Sequence, residues 1–478
     1  MHENLKFDEA LLEIADYVDR FEVNSDNAWQ TARHCLLDSI GCALEALDQP
    51  ACVRLLGPPV PGVTVEHGAR VPGTSFRLDP ATAAFNIGAM LRWTDFSDAF
   101  ITLTTMHPSD DVAAVLAVSD YLSRTRRASG QPPLTVRTVL EAMIKAHEIQ
   151  GVLGMGNRFS ENGIDHSLLA RIGCAAVAAK LLGGALDTIA AATSLAFFDA
   201  GLCVHRYGSN TGPRKGWASA ESAANAVRLA MLAVKGEPGY PQVLSHPKYG
   251  FEKVFRGGER VRLGAALGTH VMENVLFKIQ APVVIHAQSS IECALKLHPV
   301  VIGRLDDIES IRLTSHARTL ATIDKTGPLR NAADRDHCLQ YAIAVTLLKG
   351  RLTAEDYEDE VAADPRIDAL RSRMQVSEDP RFTEAYRDRT RGANMNAIEV
   401  LYKDGSRAGP VVVEFPIGHP NRRAEGIPPL MRKFEDNLTR CYREPQCKRI
   451  LEVCLDHQRI ADTMVDDFTD LFPPREKA

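Results

Sequence analysis

The sequence predicts a mainly α protein: a large all-α helical domain, a smaller α+β lid domain, and C-terminal helices that return to the helical domain. Three observations carry this expectation. From Pro80 apolar residues recur at helical spacing over many consecutive segments, so rich in alanine and glycine (ATAAFNIGAM, CAAVAAKLLGGALDTIAAATSLAF) that the helices must pack closely and be largely buried. Near residue 265 the texture changes, and strand-like runs alternate with helical ones. After Pro429 the helical pattern resumes as far as residue 471. The expected divisions are 1–265, 266–420 and 421–478.

In chain order, residues 7–21 and 26–46 read as amphipathic helices. The second is capped by Asn24 or Ser25 and carries Trp29, Ala32, Leu36, Ile40 and Leu44 at helical spacing. The stretch 58–80, PPVPGVTVEHGARVPGTSFRLDP, breaks the pattern with Pro and Gly and predicts a loop with a short strand. Helices are expected over 81–94, 110–127, 135–150, 167–182, 185–203 and 218–235. In the lid, IESIRLTSHA (308–317), NAIEVLYKDG and AGPVVVEFPIG (396–418) read as strands, the last two joined by Asp404-Gly405 in a hairpin, with helices over 284–297 and 334–348. The tail places Phe434, Leu438, Ile450, Val453, Leu455, Ile460 and Met464 on apolar faces, which suit the helical domain better than a three-stranded sheet.

Composition removes several function classes. With 478 residues, 45% of them hydrophobic, the chain can build two cores. Its net charge is −6 and no run of Lys or Arg exceeds a pair, so no nucleic-acid partner is expected. No apolar run approaches the roughly 18 residues of a membrane span. The acidic, amphipathic start MHENLKFDEALLEIADYVDR has no signal-peptide character, so a cytoplasmic location is expected. None of the ten cysteines forms a CxxC pair, which predicts buried free thiols and no iron–sulfur site of the aconitase kind. HEIQG is not HExxH, GVLGMGNRFSENG does not follow a strand, and GPRKGW lacks P-loop spacing. No metal, nucleotide or other cofactor is expected.

One stretch concentrates acid–base residues: DFSDAFITLTTMHPSDD, residues 95–111. If the helix from residue 81 ran on, Asp95 and Asp98 would share a face at its C-terminal end, where the helix dipole disfavours anions. Asp98 also suits an Asx turn or cap, Asp110 and Asp111 suit the first turn of the next helix, and Ser109 suits its cap. His107 precedes Pro108, which forces it out of the α region and makes it a candidate general acid or base. Cations stand among turn formers: Arg206, Arg214 and Lys215 in HRYGSNTGPRKGW, Lys278 in FKIQAP, and Lys325, Arg330 and Arg335 in IDKTGPLRNAADRDHC. They are either solvated loop charges or an anion pocket for a substrate with several carboxylates.

CVRLLGP, RVPGTSFRLDP, AAFNIGAMLRW, HPSD, LAVSDYLSR, YGSNTG, RKGWA, EPGYP, HAQS and IDKTGPL followed by ADRDHC together resemble the MmgE/PrpD family along nearly the whole chain, and within it the 2-methylcitrate dehydratase branch. The resemblance implies a cleft between helical domain and lid, a homodimer, and a lyase working without metal or redox cofactor on a small tricarboxylate, a 2-alkylcitrate losing water. It implies proton transfer at Asp95 and His107, with the base left open, and carboxylate binding by Lys215 and Lys278. His166 and Arg214 are further contacts, with Arg330, Arg335 and His337 added from the lid. Two departures stand out: Ala99 and Phe100 where the family commonly has threonine and tryptophan, and Thr104, Thr105 and Met106 where the branch commonly has Glu-Trp-Gly. If these three line the pocket, a longer alkyl group than methyl would fit. The rival readings are a cis-aconitate-type decarboxylase of the same family and a helical binding or scaffold protein without catalysis.

Overall fold

Helices α1 (Glu9–Arg20) and α2 (Asp26–Glu45) open the fold in a computed structural model, which describes residues 6–207, 211–388 and 392–476. Gly208, Ser209 and Asn210 of the YGSNTG run lie outside the described residues. Of the two possible caps of α2 it is Ser25 that acts, its hydroxyl accepting from the Ala28 N–H at 3.2 Å. Helix α3 (Pro80–Trp93) starts for two local reasons. Pro80 occupies the first helical position, where no N–H is needed, and the Asp79 carboxylate accepts from the Ala81 and Thr82 N–H groups at 3.0 Å each.

Five further helices complete the layer: α4 (Val112–Ala128), α5 (Val136–Gly156), α6 (Ser167–Leu181), α7 (Leu186–Ala196) and α8 (Ala218–Val234). The abundance of small residues is explained by their proximity. A Cβ on Gly88 of α3 would lie 2.9 Å from the Ala220 Cα of α8, so only glycine lets these two helices meet. The helix expected over 185–203 stops at Ala196, because the segment beyond it pairs instead with the turn before α6: Asp165 N–H donates to Gly201 O (2.8 Å) and Cys203 N–H to Gly163 O (3.1 Å). Two short antiparallel strands, β1 (Asp98–Ala99) and β2 (Leu276–Phe277), tie the loop after α3 to the end of the helical part.

The rest of the chain builds a second core. Strands β3 (Ile308–Ser315), β4 (Met374–Glu378), β5 (Asn396–Tyr402) and β6 (Arg407–Val413) form a four-stranded sheet in the order β4-β3-β5-β6, covered by α9 (Gln288–Val301), which packs on β5 and β6, and by α10 (Leu339–Lys349) beside it. The β5–β6 hairpin turns at Asp404-Gly405, with Gly405 at φ 81°. Strand β4, parallel to β3, is an addition to the three strands expected; it is short and mostly solvent-facing, so its residues carry no clear apolar alternation. The helix expected over 334–348 is broken: one turn ends at Arg335, and α10 begins only at Leu339.

Helix α11 (Arg423–Cys441) starts before Pro429 and carries Pro428 and Pro429 inside it. They remove backbone donors, but burial of Leu430, Phe434 and Leu438 holds the helix in place. With α12 (Glu444–Cys454) and the turns after it, α11 packs back on the helical core, as Phe434, Leu438, Ile450, Val453 and Ile460 show; Leu455 faces solvent. Buried side chains of the helical core run from Leu11 to Ile279 and again from Leu430 to Phe472, and those of the sheet core from Ala281 to Val413. The chain therefore changes core between Ile279 and Ala281, just after Lys278. Among the described residues no helix is long and apolar enough to cross a membrane.

Candidate active site

Helix α3 ends at Trp93, so Asp95 and Asp98 do not share a helix face. Asp95 instead adopts φ 52°, a left-handed conformation that aspartate tolerates better than most residues, and its side chain turns into the interior, 1% exposed. Two residues on, the β1–β2 pairing brings in Lys278, whose backbone N–H donates to Ser97 O at 2.9 Å. Its ammonium then reaches both the Asp95 carboxylate (Nζ–Oδ1 2.8 Å) and the Asp95 carbonyl (2.8 Å). Arg92, from the last turn of α3, closes on the same carboxylate oxygen at 2.6 Å, while its Nε lies 3.1 Å from Asp110 Oδ1. Lys215 stands 4.0 Å from Asp95 Oδ2 and is ion-paired with Asp336 of the sheet body.

Residues 100–106 form a loop closed by reciprocal backbone bonds between Phe100 and Met106 (2.9 and 3.2 Å). Phe100 and Met106 pack in the helical core, while Ile101 packs with Ala99, Leu276 and Ile285. Thr104 Oγ donates to Asn157 O (2.7 Å) and accepts from Phe159 N–H (2.9 Å), and Met106 is fully buried against Gly154, where a Cβ would come within 2.1 Å of its methyl carbon. Thr105 Oγ reaches only Thr102 O, at 3.4 Å. Thr104 and Met106 are therefore spent on anchoring the loop.

That anchorage, together with Pro108, fixes His107 in extended backbone (φ −116°, ψ 97°), and its Nδ1–H donates to the Asp98 carbonyl at 2.6 Å. A carbonyl can only accept, so in the neutral ring Nε2 is left as a lone pair, 3.9 Å from Asp95 Oδ1. The Asp98 carboxylate accepts from the Ser109 N–H (3.1 and 3.2 Å) and hydroxyl (2.6 Å). Ser109 is thus not the cap of α4; its hydroxyl is used on Asp98 and Ser97, and a short 3-10 turn, Pro108–Asp111, precedes the helix. The turn sends Asp110 and Asp111 inward rather than leaving them as surface charges on a helix end. Asp110 Oδ2 accepts from Ser219 Oγ (2.6 Å) and lies 3.8 Å from His166 Nε2; Asp111 accepts from His147 Nδ1 (2.8 Å) and Gln150 (3.0 Å).

The protonation states follow from burial and neighbours. Burial pushes the Asp95 carboxyl up, but Lys278, Lys215 and Arg92 together outweigh it and hold Asp95 well below the ordinary carboxylate range. Burial, with Arg92 and Lys278 nearby, pushes His107 well below the usual imidazole value, and burial with Arg206 brings His166 down to about 3. Both rings, 5.3 Å apart between centroids, are neutral at physiological pH. Burial lowers Lys278 to about 8 against the pull of Asp95, and raises Asp110 to about 6 against Arg92.

The fold therefore brings together Asp95, His107, His166, Lys215 and Lys278, with His337 joined through Asp336, whose Oδ1 lies 2.5 Å from His337 Nδ1. Arg214 does not join them: it pairs with Glu221 at the surface and stacks 4.3 Å over Trp217. Arg335 is used on Tyr357 O and Asp359 (2.6 Å each), and Arg330 is exposed. Arg206 pairs with Asp165 and Lys325 with Asp334, so neither is a loose loop charge. The sequence offers no role for Arg92 or Asp336, and for Asp110 only that of a helix-terminal charge. A charged residue on the otherwise apolar face of AFNIGAMLRW is the one signal that pointed to a buried pair at Arg92.

Among the described residues one group of side chains has metal-ligand spacing, Cys35, Asp98 and His147, with ligand atoms within 4.8 Å of one another. Burial raises the Cys35 thiol well above its ordinary value, so it stays protonated, and the Asp98 oxygens already serve Ser109. A cavity of about 50 Å³, bordered by Trp93, Lys215, Asp336 and Tyr357, reaches the ion pair between the two bodies.

Fold and site define a class: a mainly α protein holding a buried histidine, lysine and carboxylate site where its helical part meets a smaller α+β part. The chain belongs to the MmgE/PrpD family, matching the MmgE/PrpD N-terminal domain over residues 12–264 and the MmgE/PrpD C-terminal domain over 281–457. It is 50% identical to the 2-methylcitrate dehydratase of Salmonella typhimurium over 98% of this chain and 97% of that one. It is 43% identical to the mitochondrial 2-methylcitrate dehydratase of Yarrowia lipolytica (98% and 91%), and 38% identical to the 2-methylcitrate dehydratase-like protein oryR of Aspergillus oryzae (98% and 96%).

Proposed function

We propose that this chain is a hydro-lyase that removes water from 2-methylcitrate to give 2-methyl-cis-aconitate, with His107 as the base. One observation carries the chemistry: in a chain half identical to 2-methylcitrate dehydratases over nearly its whole length, a neutral imidazole with a free Nε2 stands beside buried lysines. Elimination needs a base for the proton alpha to a carboxylate, and cations for the enediolate-like charge that develops. His107 Nε2 takes the proton, and Lys278 and Lys215 face the charge. Asp95, ion-paired and strongly acidic, is too weak a base for an alpha proton; it holds Lys278 and Arg92 in place. His166 adds a polar contact beside His107.

The 50 Å³ cavity has room for about one or two waters, so a tricarboxylate enters only when the sheet body moves off Lys215. The chain is accordingly read as a helical domain and a lid, with the lid's Asp336 giving up Lys215 to a substrate carboxylate. Thr104 and Met106 anchor their loop and do not line the site, which favours methyl over a longer alkyl group. A homodimer fits the exposed apolar side chains Phe198, Leu202 and Val204, and a reducing cytoplasm fits ten buried free cysteines.

The test is turnover of 2-methylcitrate by the purified full-length chain, followed by the absorbance of the conjugated double bond and by product mass, with longer 2-alkylcitrates in parallel. Loss of water from 2-methylcitrate is expected, with kcat lowered about 10²- to 10⁴-fold in His107→Asn. Release of carbon dioxide, or unchanged turnover in His107→Asn, sinks the reading.

A further inference from the structure

An elimination of water needs a second proton-transfer group, because hydroxide is a poor leaving group and must be protonated as the carbon–oxygen bond breaks. His107 cannot serve both ends: its Nδ1–H is committed to the Asp98 carbonyl, and its Nε2 is the base. His166 lies against His107, and burial, with Arg206 and Arg92 nearby, keeps it neutral and so a far weaker acid than an imidazolium. Among the described residues two imidazoles hydrogen-bond to a carboxylate, the partner that favours the protonated ring: His147 to Asp111 and His337 to Asp336. His147 is completely buried inside the helical core, whereas the His337 side chain is 15% exposed.

The placement of His337 comes from a break in the helix. The turn Ala332–Arg335 ends, Asp336, His337 and Cys338 leave helical geometry, and α10 starts at Leu339. The break is held from both sides. Arg335 is clamped to Tyr357 O and Asp359, Asn331 Oδ1 accepts from Asp334 N–H (3.0 Å), and Cys338 N–H donates to Arg335 O (3.1 Å). Asp336 then uses its two oxygens differently: Oδ1 receives His337 Nδ1 and Oδ2 receives Lys215. Lys215 stands 4.0 Å from Asp95 Oδ2, and Asp95 Oδ1 is 3.9 Å from His107 Nε2. His107 and His337 thus stand at the two ends of one chain of contacts, His107–Asp95–Lys215–Asp336–His337, one ring carried by each body of the molecule.

We propose that His337, with its ring oriented by Asp336, is the general acid that protonates the departing hydroxyl. The proposal rests on the dehydratase reading and completes it. In the step, His107 Nε2 takes the proton alpha to a carboxylate, and that C–H pair becomes the new carbon–carbon double bond. The neighbouring C–O bond breaks with its electron pair on oxygen, and His337 Nε2 delivers its proton there to give water. The two environments divide the labour, since His107 is backed by a neutral carbonyl among cations and His337 by an anion. The charged or titratable groups around His337 are Asp336, Lys215, Asp95 and His286; burial, with Lys215 beside it, outweighs Asp336 and Asp95 and holds the ring below the ordinary imidazole value in this arrangement, with Lys215 on Asp336. When a substrate carboxylate draws Lys215 away, Asp336 is left to His337 alone, so substrate binding itself favours the protonated acid.

The experiment compares 2-methylcitrate with the analogue in which fluorine replaces the departing hydroxyl, read by fluoride release, because fluoride leaves without needing a proton. His337→Asn is expected to lose about 10²-fold or more in kcat on 2-methylcitrate while releasing fluoride within about threefold of the unmodified enzyme, which also shows that the variant is folded. Asp336→Asn is expected to show the same split, more weakly, as suits a positioning residue. His107→Asn should lose both activities. Equal losses on the two substrates in His337→Asn, or unchanged turnover of 2-methylcitrate, would overturn the acid assignment. An unmodified enzyme inactive on both substrates would overturn the dehydratase reading itself.

Discussion

The two segments that meet at the site, 95–111 and 325–337, are held in place in different ways. In the first, Asp95, Asp98, Asp110 and Asp111 are each no more than 2% exposed, and three of them are bonded outside the segment, Asp95 to Arg92 of α3 and Lys278 beyond β2, Asp110 to Ser219 of α8 and Asp111 to His147 and Gln150 of α5, while Asp98 is held within it by Ser109. In the second, charges are satisfied largely within the sheet body, Lys325 by Asp334 and Arg335 by Asp359. Among the described residues its polar contacts with the helical body include Asp336 on Lys215 and Thr211, which takes Lys325 Nζ (2.9 Å) and gives its N–H to Asp334 (3.2 Å). A base that must meet a carbon acid is fixed from every side. The segment that must let a tricarboxylate in is attached at a few polar points.

The strongest test of this contrast is a matched pair of charge removals. Asp95→Asn leaves Arg92 and Lys278 buried with one charge too few and is expected to cost about 3–5 kcal/mol of unfolding free energy. Asp336→Asn leaves Lys215 next to a cavity that can admit water, and is expected to cost only about 1–2 kcal/mol. Urea denaturation of both variants gives the comparison; equal costs would mean that the second segment is as deeply built in as the first.

A smaller effect sharpens the electrostatics of the first segment. Burial has lowered Lys278 to about 8, so the ammonium, whole well below that pH, is lost as pH rises through it. With a carboxylate-binding cation disappearing, kcat/KM is expected to fall above about pH 8, approaching about tenfold per pH unit. Arginine does not deprotonate in this range, so Lys278→Arg should remove the alkaline limb even though its larger head lowers the plateau. If the limb stays at the same pH in that variant, a different group is titrating.

The same contrast explains what could be read from sequence. The alanine- and glycine-rich helices, the Asp404-Gly405 hairpin and the return of the C-terminal helices all follow from local periodicity and turn chemistry, which a single chain displays directly. His107 was legible because Pro108 fixes its backbone locally. Arg92, Asp110 and Asp336 were not, since each acquires its meaning from a partner distant in sequence: Arg92 from Asp110, Asp110 from Ser219, Asp336 from Lys215. Asp110 and Asp111 also carried a sufficient local explanation, helix-terminal charge, that the 3-10 turn at Pro108 displaced by turning them inward. Thr104 and Met106 drew notice as a departure from relatives, yet a departure does not say which way a side chain points. Here it was the contact with Gly154 and Asn157 that decided it.

The smallest expected effect concerns the cations that sequence alone could not sort. Arg214 and Lys215 are adjacent, and composition treats them alike, but the turn Pro213–Gly216 sends one to the surface and the other to Asp95 and Asp336. The Arg214–Glu221 pair is about half exposed on both sides, where solvent screening leaves such a pair worth roughly 0–1 kcal/mol. Arg214→Ala should therefore change stability by less than about 1 kcal/mol and kcat/KM by less than about twofold, while Lys215→Ala, which leaves Asp336 buried without its cation, abolishes most turnover. A tenfold loss of kcat/KM in Arg214→Ala would mean that this arginine reaches substrate after the two bodies separate. The division between a fixed half and a docking half would then have to be redrawn through the turn that carries both residues.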